Sequence, residues 1–364
     1  MKILIYLGHP AHFHLFKNTI RNLEDKGHIV SVLIKKKDIL EDLLRRSEMD
    51  YLNILPEGRR DGKVGIALGV LKRDWRLFRF CLRNRPDLLM GTSAEIGHVG
   101  TILRIPSVNV NEDDAALIST FCRISYPWST YILSPEVCDN GSWEKKSIKY
   151  QSYHELAYLH PGNFKASRDI VRKYLDPDQP YFLIRFAQLS AHHDSGIRGI
   201  SDELAMKIIE LLKPHGRIFI TSERPLTEHF EPYRLNIDPL EIHHVMATAS
   251  LYIGDSQTMA AEAGVLGVPF LRYNDFVGRI GYLKELEEKY ELGYGIRPSE
   301  PETLLRRLGL ILEMENKHQV FQNRRERMLK DKIDLASFMT WFMENYPLSV
   351  TTMKETPEYQ YNFR

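Results

Sequence analysis

The amino-acid sequence predicts an α/β protein with two doubly wound, Rossmann-like domains facing across a cleft. Short apolar runs alternate with helical periodicity along most of the chain, a pattern typical of parallel sheets covered by helices. The alternation begins twice, at the first residue and again near residue 181. The chain has 364 residues, which is more than one core usually organises, so two domains are expected.

The first series opens with a buried-strand pattern at 2–7, an amphipathic helix at 15–27 that ends at Gly27, and a strand at 29–34. This βαβ unit predicts a parallel sheet. The later elements of the series are predicted as helices at 38–47, 64–84 and 97–105, strands at 51–55, 87–91 and 107–111, and weaker strands at 130–134 and 148–152.

The second series repeats the alternation after a linker near 160–167. Its strands are predicted at 181–186, 217–222, 250–253, 268–273 and 292–296, and its helices at 202–213, before residue 250, after residue 256 and at 301–316. We therefore place the N-terminal domain at 1–160 and the second domain at 161–333. The helix that opens 334–364 is expected to return toward the first domain, followed by a loosely ordered tail.

The composition of the chain indicates which binding partners and which cellular compartment to expect. With 49 Lys+Arg against 48 Asp+Glu, the chain has no excess of positive charge for binding nucleic acid. Its three cysteines, Cys81, Cys122 and Cys138, form no C-x-x-C pair, which favours a reducing compartment. The N-terminus has no signal-peptide pattern, and no apolar run is long enough for a membrane span. A cytoplasmic protein is expected.

One motif, GDSQTMAAEAGVLGVPF (254–270), joins an apolar strand to a helix of small residues and then to a second strand. Asp255, Ser256, Gln257 and Thr258 fall where free backbone N–H groups and the helix dipole favour a phosphate. Glu262 lies one turn later, where a carboxylate can accept hydrogen bonds from a ribose diol. The alternative is that Ser256 caps the helix, the alanines pack and Glu262 is solvated.

The pattern Gly-Asp-Ser-x3-Ala-x-Glu-Ala-x-x-Leu-Gly-x-Pro in this motif resembles a signature of GT-B enzymes that use nucleotide sugars. These include UDP-N-acetylglucosamine 2-epimerase and the lipid II N-acetylglucosaminyltransferase. The resemblance implies that Ser256, Gln257 and Thr258 hold the diphosphate and that Glu262 holds the ribose. GHPAHFHLFKNTIRNLEDKGHIV resembles the transferase's first loop and places His12 on its loop histidine, and RPDLLMGTSAEIGHVGTILRIPSV (85–108) resembles a later segment.

Five motifs together, GHPAHFH, YHELAYLHP, AHHDSG, TSERPL and GDSQTMAAEAGVLG, resemble the prokaryotic family called domain of unknown function 354 over most of 1–340. That resemblance implies a fold and no activity. The chain departs from the transferase pattern, because Gly8-His9-Pro10-Ala11 replaces the multiple glycines of the first loop and the second-domain loop lacks paired glycines.

Further candidates follow other predicted strands. His9, His12 and His14 follow the first strand, where His12 is predicted as the base that takes a proton from an acceptor hydroxyl. The alternatives are capping or core histidines. Asp113, in the acidic run 111–114, is a further candidate base or acceptor ligand, against the alternative of a solvated face. No metal site is expected, because the histidine spacing matches no zinc motif.

In the second domain, Arg185, His192 and His193 are predicted to contact phosphates, and the resemblance to the 2-epimerase loop supports this. Ser222 and Glu223 end the next strand and are expected at the same edge. A solvated polar loop is the alternative.

The predicted helix 64–84 carries basic residues beside aromatic ones. A basic amphipathic helix of this kind can rest on an anionic membrane surface, whereas an ordinary outer helix would bury its apolar side on the sheet. The basic residues are Lys72, Arg73, Arg76, Arg79 and Arg83, beside Trp75, Leu77, Phe78 and Phe80.

The sequence thus predicts a metal-independent glycosyltransferase of cell-surface glycan synthesis that uses a nucleotide-diphosphate sugar, such as a UDP-sugar, and no cofactor. The expected acceptor is lipid-linked or a glycan, and a lipid-linked acceptor would suit a peripheral contact with the inner membrane face through helix 64–84. A 2-epimerase-like enzyme and a non-catalytic nucleotide-sugar-binding protein remain as alternatives.

Overall fold

A computed structural model describes residues 1–57, 63–187 and 199–364, with the side chains of 63–68 outside that description. The chain divides into two compact units. The first unit is Met1–Tyr158 with Lys332–Arg364, and the second unit is Leu159–Asp331.

The first unit is built on a parallel sheet. Its strands are β1 Lys2–Leu7, β2 Ile29–Lys35, β3 Leu52–Leu55, β4 Leu88–Gly91, β5 Ser107–Val110, β6 Tyr131–Pro135 and β7 Ser147–Tyr150. Their order is β3-β2-β1-β4-β5-β6-β7, and each neighbouring pair is parallel. The strand order reverses between β1 and β4, so the carboxyl ends of these two strands open a crevice.

Helices connect these strands and cover the sheet. They are α1 Pro10–Asp25, α2 Leu40–Arg46, α3 Lys63–Asn84, α4 Ala94–Leu103, α5 Ser119–Ser125 and α6 Leu156–Leu159. Leu4 and Tyr6 of β1 pack with Leu77 of α3 and Ile96 of α4 in one buried cluster. Strands of a parallel sheet are buried on both faces, which explains the unbroken apolar run of β1.

Helix α1 begins five residues before the predicted start at residue 15. Pro10 occupies its first position, and His9 caps it, because His9 Nδ1 accepts a hydrogen bond from the Ala11 peptide N–H at 3.2 Å. His12 and His14 therefore lie in the helix and not in a loop.

The second unit has its own parallel sheet. Its strands are β8 Tyr181–Phe186, β9 Arg217–Ser222, β10 Leu251–Gly254, β11 Phe270–Tyr273 and β12 Gly293–Ile296. The order β12-β11-β10-β8-β9 reverses between β8 and β10. The helices are α7 Arg168–Arg172, α8 Asp202–Leu212, α9 Ile242–Ala247, α10 Gln257–Val265, α11 Gly281–Lys284, α12 Pro301–Glu313 and α13 Lys317–Asp331. The predicted α/β class with two doubly wound sheets is confirmed.

The C-terminal segment, α14 Leu335–Glu344 and α15 Leu348–Glu355, belongs to the first unit. Asp334 caps α14 by accepting hydrogen bonds from the peptide N–H groups of Ala336 and Ser337. Helix α14 packs on α1, where Glu344 forms an ion pair with Lys26 at 2.7 Å.

The expectation of a loosely ordered tail is wrong. After α15, a 3₁₀ helix at Pro357–Phe363 places the Phe363 ring 5.4 Å from the Trp341 ring, and Gln360 accepts a hydrogen bond from the Gln151 peptide N–H at 2.7 Å. These two contacts could not be predicted from the polar composition of the tail. Among the residues that the structure describes, no helix combines the length and apolarity needed to cross a membrane.

Candidate functional site

In the second unit, the carboxyl ends of β8 and β10 lie side by side where the strand order reverses. Open α/β sheets bind ligands at such a point. Gly254 ends β10, and a Cβ there would lie 2.4 Å from Tyr252 Oη and 2.9 Å from Arg185 Cβ. Only glycine fits, so the turn that follows lies directly against β8.

This turn, Asp255–Ser256, leads into α10. Ser256 is the N-cap, and its Oγ accepts the Met259 peptide N–H at 3.4 Å. The peptide N–H groups of Gln257 and Thr258 lie in the first turn of α10, where the helix offers them no carbonyl acceptor. Both residues are half-exposed. Capping by Ser256 is thus compatible with anion binding at the same helix end.

Glu262 is buried in α10, 4% exposed, and is not a solvated surface residue. His243 of α9 donates from Nε2 to Glu262 Oε1 at 2.9 Å. The imidazole therefore fixes the orientation of the carboxylate beside the turn. The sequence analysis missed His243, because a histidine on a separate short helix shows no link to Glu262 until the strand order is known.

The small residues of α10 serve close packing. A Cβ at Gly264 would lie 2.9 Å from the Phe270 ring of β11, and Ala260, Ala261 and Ala263 are buried. These side chains let α10 approach the sheet, which holds the helix N-terminus at the strand ends.

Asp255 has a different role from its neighbours. Its carboxylate accepts the peptide N–H groups of Ala187 at 2.6 Å and Ile200 at 3.2 Å, so it anchors both flanks of 188–198. Burial raises the pKa of Asp255 to about 6, although these hydrogen bonds lower it. This geometry makes Asp255 a backbone anchor. His192 and His193 lie outside the described residues.

Arg185 is the penultimate residue of β8 and forms an ion pair with Glu223, which follows β9. Ser222 is engaged locally, because its Oγ donates to the Arg224 carbonyl oxygen at 2.6 Å. Arg224, which the sequence analysis did not single out, donates to the Ile200 carbonyl oxygen at 2.9 Å. The predicted residues Arg185, Ser222 and Glu223 are therefore brought to the same sheet edge as the β10 turn.

In the first unit, the half-buried imidazole of His12 follows β1. The Gly8 peptide N–H donates to its Nδ1 at 3.1 Å, so the proton of the neutral ring lies on Nε2. Burial and the neighbouring His9, His154 and Lys35 lower the pKa of His12 well below its ordinary value. In this state His12 offers a donor to a ligand, whereas the predicted base would need a lone pair at Nε2.

The ring of His14 lies 5.2 Å from the ring of Tyr158. His9 caps α1 and remains exposed. Lys35, which the sequence analysis missed, lies at the end of β2, with its Cε 3.4 Å from the position of a Gly8 Cβ.

A second imidazole, His154, lies at the same edge and was also missed. Its Nδ1 is 3.3 Å from Glu112 Oε1, and its peptide N–H donates to Glu112 Oε2 at 3.2 Å. Burial lowers the pKa of His154 to about 3, against the opposing effect of Asp113. Asp113 is thus near this imidazole. The signal was present in YHELAYLHP, which the sequence analysis used only as a family motif.

Among the described residues, no three or more His, Cys, Asp or Glu side chains are grouped so that they would hold a metal ion.

The basic residues of α3 are partly engaged within the first unit. Arg73 forms a buried ion pair with Glu95 of α4, and Arg76 forms a solvent-exposed ion pair with Glu57. By contrast, Leu71, Trp75 and Leu82 are 65%, 59% and 50% exposed. These three residues define the exposed apolar stripe of α3.

The family model described as "Protein of unknown function (DUF354)" matches residues 1–275, and the chain belongs to this family. No curated protein matches the chain.

Solved structures share its fold. UDP-GlcNAc 2-epimerase from Neisseria meningitidis bound to UDP-GlcNAc has 14% identity and a TM-score of 0.60, over 91% of this chain and 99% of that one. S. aureus MnaA with UDP has 12% identity and a TM-score of 0.69, over 96% and 98%. Spinosyn rhamnosyltransferase SpnG with spinosyn aglycone has 13% identity and a TM-score of 0.61, over 95% and 100%. At this identity the likeness establishes the GT-B fold.

Proposed function

We propose that this member of the family is a GT-B enzyme that acts on a nucleotide-diphosphate sugar, and specifically a glycosyltransferase of cell-surface glycan synthesis. One observation carries the proposal: the second unit presents the N-terminus of α10 at its strand-order reversal, together with the Glu262 carboxylate held by His243. Two structural neighbours contain UDP or UDP-GlcNAc, which supports a nucleotide ligand of this kind.

The proposed roles follow the chemistry of these groups. The free N–H groups at the start of α10 bind the diphosphate and stabilise the charge that develops when it leaves the sugar. Glu262 accepts hydrogen bonds from the ribose diol. Arg185 adds a positive charge at the end of β8. The first unit binds the acceptor, and neither a metal ion nor a cofactor is required by these roles.

A 2-epimerase is the second candidate, because epimerases are among the solved structures that share the fold. Such a reaction eliminates and re-adds the nucleotide diphosphate across the C1–C2 bond of the sugar, without an acceptor. The carboxylates of Glu112 and Asp113 at the edge of the first unit's sheet would suit the proton transfers that it needs.

Thermal unfolding of the full chain with UDP-, GDP-, dTDP-, CDP- and ADP-sugars tests the nucleotide proposal. We expect one nucleotide class to raise the unfolding temperature, because a ligand that binds only the folded state stabilises it. The stabilising sugar nucleotide is then incubated with and without glycan and lipid-linked acceptors, and the products are identified by mass spectrometry.

A transferase consumes the sugar nucleotide only with an acceptor, while an epimerase converts it alone. Stabilisation without any conversion would indicate a binding protein. No stabilisation by any nucleotide sugar would contradict the proposed function.

The exposed apolar stripe of α3 supports a contact with an anionic membrane surface, as a lipid-linked acceptor would require. Trp75 stacks on Phe78 with ring centroids 5.9 Å apart, and Arg79 and Arg83 are exposed on the same helix. Exposed tryptophan and leucine beside basic residues are typical of helices that lie in the membrane interface.

The chain should therefore sediment with vesicles that contain phosphatidylglycerol. The double variant Trp75→Ser/Leu82→Ser should bind about tenfold more weakly or worse, because it removes most of the apolar area of the stripe. Leu310→Ser is the matched control, since Leu310 is 52% exposed on α12 of the second unit. Equal sedimentation of the double variant and the control would exclude this surface.

A further inference from the structure

Two imidazoles with opposite hydrogen-bonding roles lie at one edge of the first unit's sheet. Because Gly8 N–H donates to Nδ1 of His12, Nε2 of that ring is a donor. The Glu112 carboxylate lies 3.3 Å from Nδ1 of His154 and favours a proton on that nitrogen, which leaves Nε2 of that ring as the acceptor. Thus Nε2 of His12 can donate a hydrogen bond, and Nε2 of His154 can accept one.

The segment between β7 and α6 brings these rings together. It leaves β7 at the carboxyl edge, contacts Glu112 beyond β5 through His154, and reaches α1, where the Asn18 side-chain amide donates to the Ala157 carbonyl oxygen at 2.9 Å. His154 lies between these anchors. His154 and His12 therefore lie on segments that contact each other, and the charge of His154 is among those that lower the pKa of His12, after burial and His9.

Nε2 of His154 is buried and, within residues 1–57, 63–187 and 199–364, has no hydrogen-bond partner. A buried polar atom left unpaired is unfavourable, so the free protein favours a ligand that donates to this nitrogen. The imidazole side chain as a whole is 13% exposed.

We propose that His12 and His154 form the hydroxyl-binding pair of the first unit and bind the acceptor hydroxyl that attacks the sugar. A hydroxyl group is both an acceptor and a donor. Nε2–H of His12 donates to its oxygen, and its O–H donates to Nε2 of His154. The inference rests on the proposed function and names the residues that its acceptor side would use.

In the transfer, the acceptor oxygen forms a bond to the anomeric carbon. The bond from that carbon to the diphosphate oxygen breaks, and its electron pair stays on the diphosphate. The hydroxyl proton passes to Nε2 of His154 and later to solvent. The Glu112 carboxylate, 3.3 Å from Nδ1, stabilises the imidazolium that forms, so Glu112 is a positioning residue.

The first test measures the two tautomers directly, without an assay of activity. The full chain is labelled with ¹⁵N-histidine, and long-range ¹H–¹⁵N spectra are recorded at pH 7, with signals assigned from His12→Gln and His154→Gln. We expect the His12 proton on Nε2 and the His154 proton on Nδ1. The opposite tautomer at either ring would overturn the proposal.

The second test uses the sugar nucleotide and acceptor that show turnover. His154→Gln should lower kcat by about 10²-fold or more, with unchanged affinity for the nucleoside diphosphate. Glu112→Gln should lower kcat less and populate both tautomers of His154, which a purely structural role would not do. His318→Gln, an exposed histidine of α13, is the control.

A folded His154→Gln protein with the parental kcat would contradict the proposed hydroxyl-binding pair but would not contradict the proposed nucleotide site. If the parental protein binds no nucleotide, the proposed function is contradicted instead. The tautomers of His12 and His154, measured in the first test, would then decide whether the two rings have the proposed donor and acceptor roles.

Discussion

Replacing His12 with alanine is expected to lower turnover of the nucleotide sugar by about 10²–10³-fold, the usual effect of removing one donor aimed at a reacting oxygen. The donor is Nε2–H, because Gly8 N–H binds Nδ1. Affinity for the nucleoside diphosphate should be unchanged, since the proposed nucleotide site lies in the second unit. Steady-state kinetics and calorimetric titration measure the two quantities.

The variant His12→Gln distinguishes two roles of the His12 side chain, a hydrogen-bond donor and a general base. Glutamine can donate through its amide but cannot accept a proton at neutral pH. If His12 acts as a donor, His12→Gln should keep more of the parental rate than His12→Ala, whereas a base predicts equal losses in both variants. Parental turnover in folded His12→Ala would remove His12 from the site.

The largest expected change in stability follows from Arg73→Ala. Arg73 and Glu95 are 7% and 4% exposed and form an ion pair between α3 and α4. Removing one partner of a buried pair leaves an uncompensated charge and costs about 3–5 kcal/mol. The chain has four tryptophans, Trp75, Trp128, Trp143 and Trp341, all in the first unit. Their fluorescence therefore reports urea unfolding of that unit.

Two controls, a double variant and the pH dependence of stability, test whether loss of the Arg73–Glu95 ion pair causes the destabilisation. Arg73→Met/Glu95→Leu removes both charges and should unfold near the parental midpoint. Burial opposes ionisation of Glu95, but Arg73 and backbone hydrogen bonds outweigh it and lower the pKa of Glu95 below its ordinary value of 4.5.

The stabilisation from Glu95 is thus present above its unfolded pKa and is lost as pH falls through its folded pKa. The stability difference between parent and Arg73→Ala should narrow below pH 4.5. A difference that stays constant with pH would assign the effect to lost packing.

The alternation of strands and helices was predictable because buried strands and amphipathic helices have distinct periods. β1, β8 and β9 match their predicted ranges residue for residue. The turn before α10 was also predictable, since Gly254 and Ser256 follow an apolar strand and precede a helix.

The partners of the site residues were not predictable in the same way. His243 meets Glu262, and His154 meets Glu112, only because the sheets place those elements side by side. Asp255 resembles a ligand-binding residue in sequence, yet its carboxylate binds peptide N–H groups on both sides of 188–198. Periodicity contains no information about strand order, so such contacts require the structure.

The role of His12 shows the same limit. Its position after β1 was clear from the sequence, whereas its tautomer depends on one hydrogen bond from Gly8. In our proposal, that single contact makes His12 a donor in place of the predicted base and leaves the acceptor role to His154.

The most direct test of the nucleotide site is calorimetric titration of the parent and Glu262→Gln with the nucleoside diphosphate that stabilises the chain most, and with its 2′-deoxy form. Glutamine keeps an oxygen that can accept from His243, so the fold should persist, as circular dichroism can verify. We predict 1:1 binding by the parent, a preference for the ribose form, and a loss of about 1–3 kcal/mol in Glu262→Gln that falls mainly on the ribose form. Parental affinity for the ribose form in folded Glu262→Gln would contradict the account.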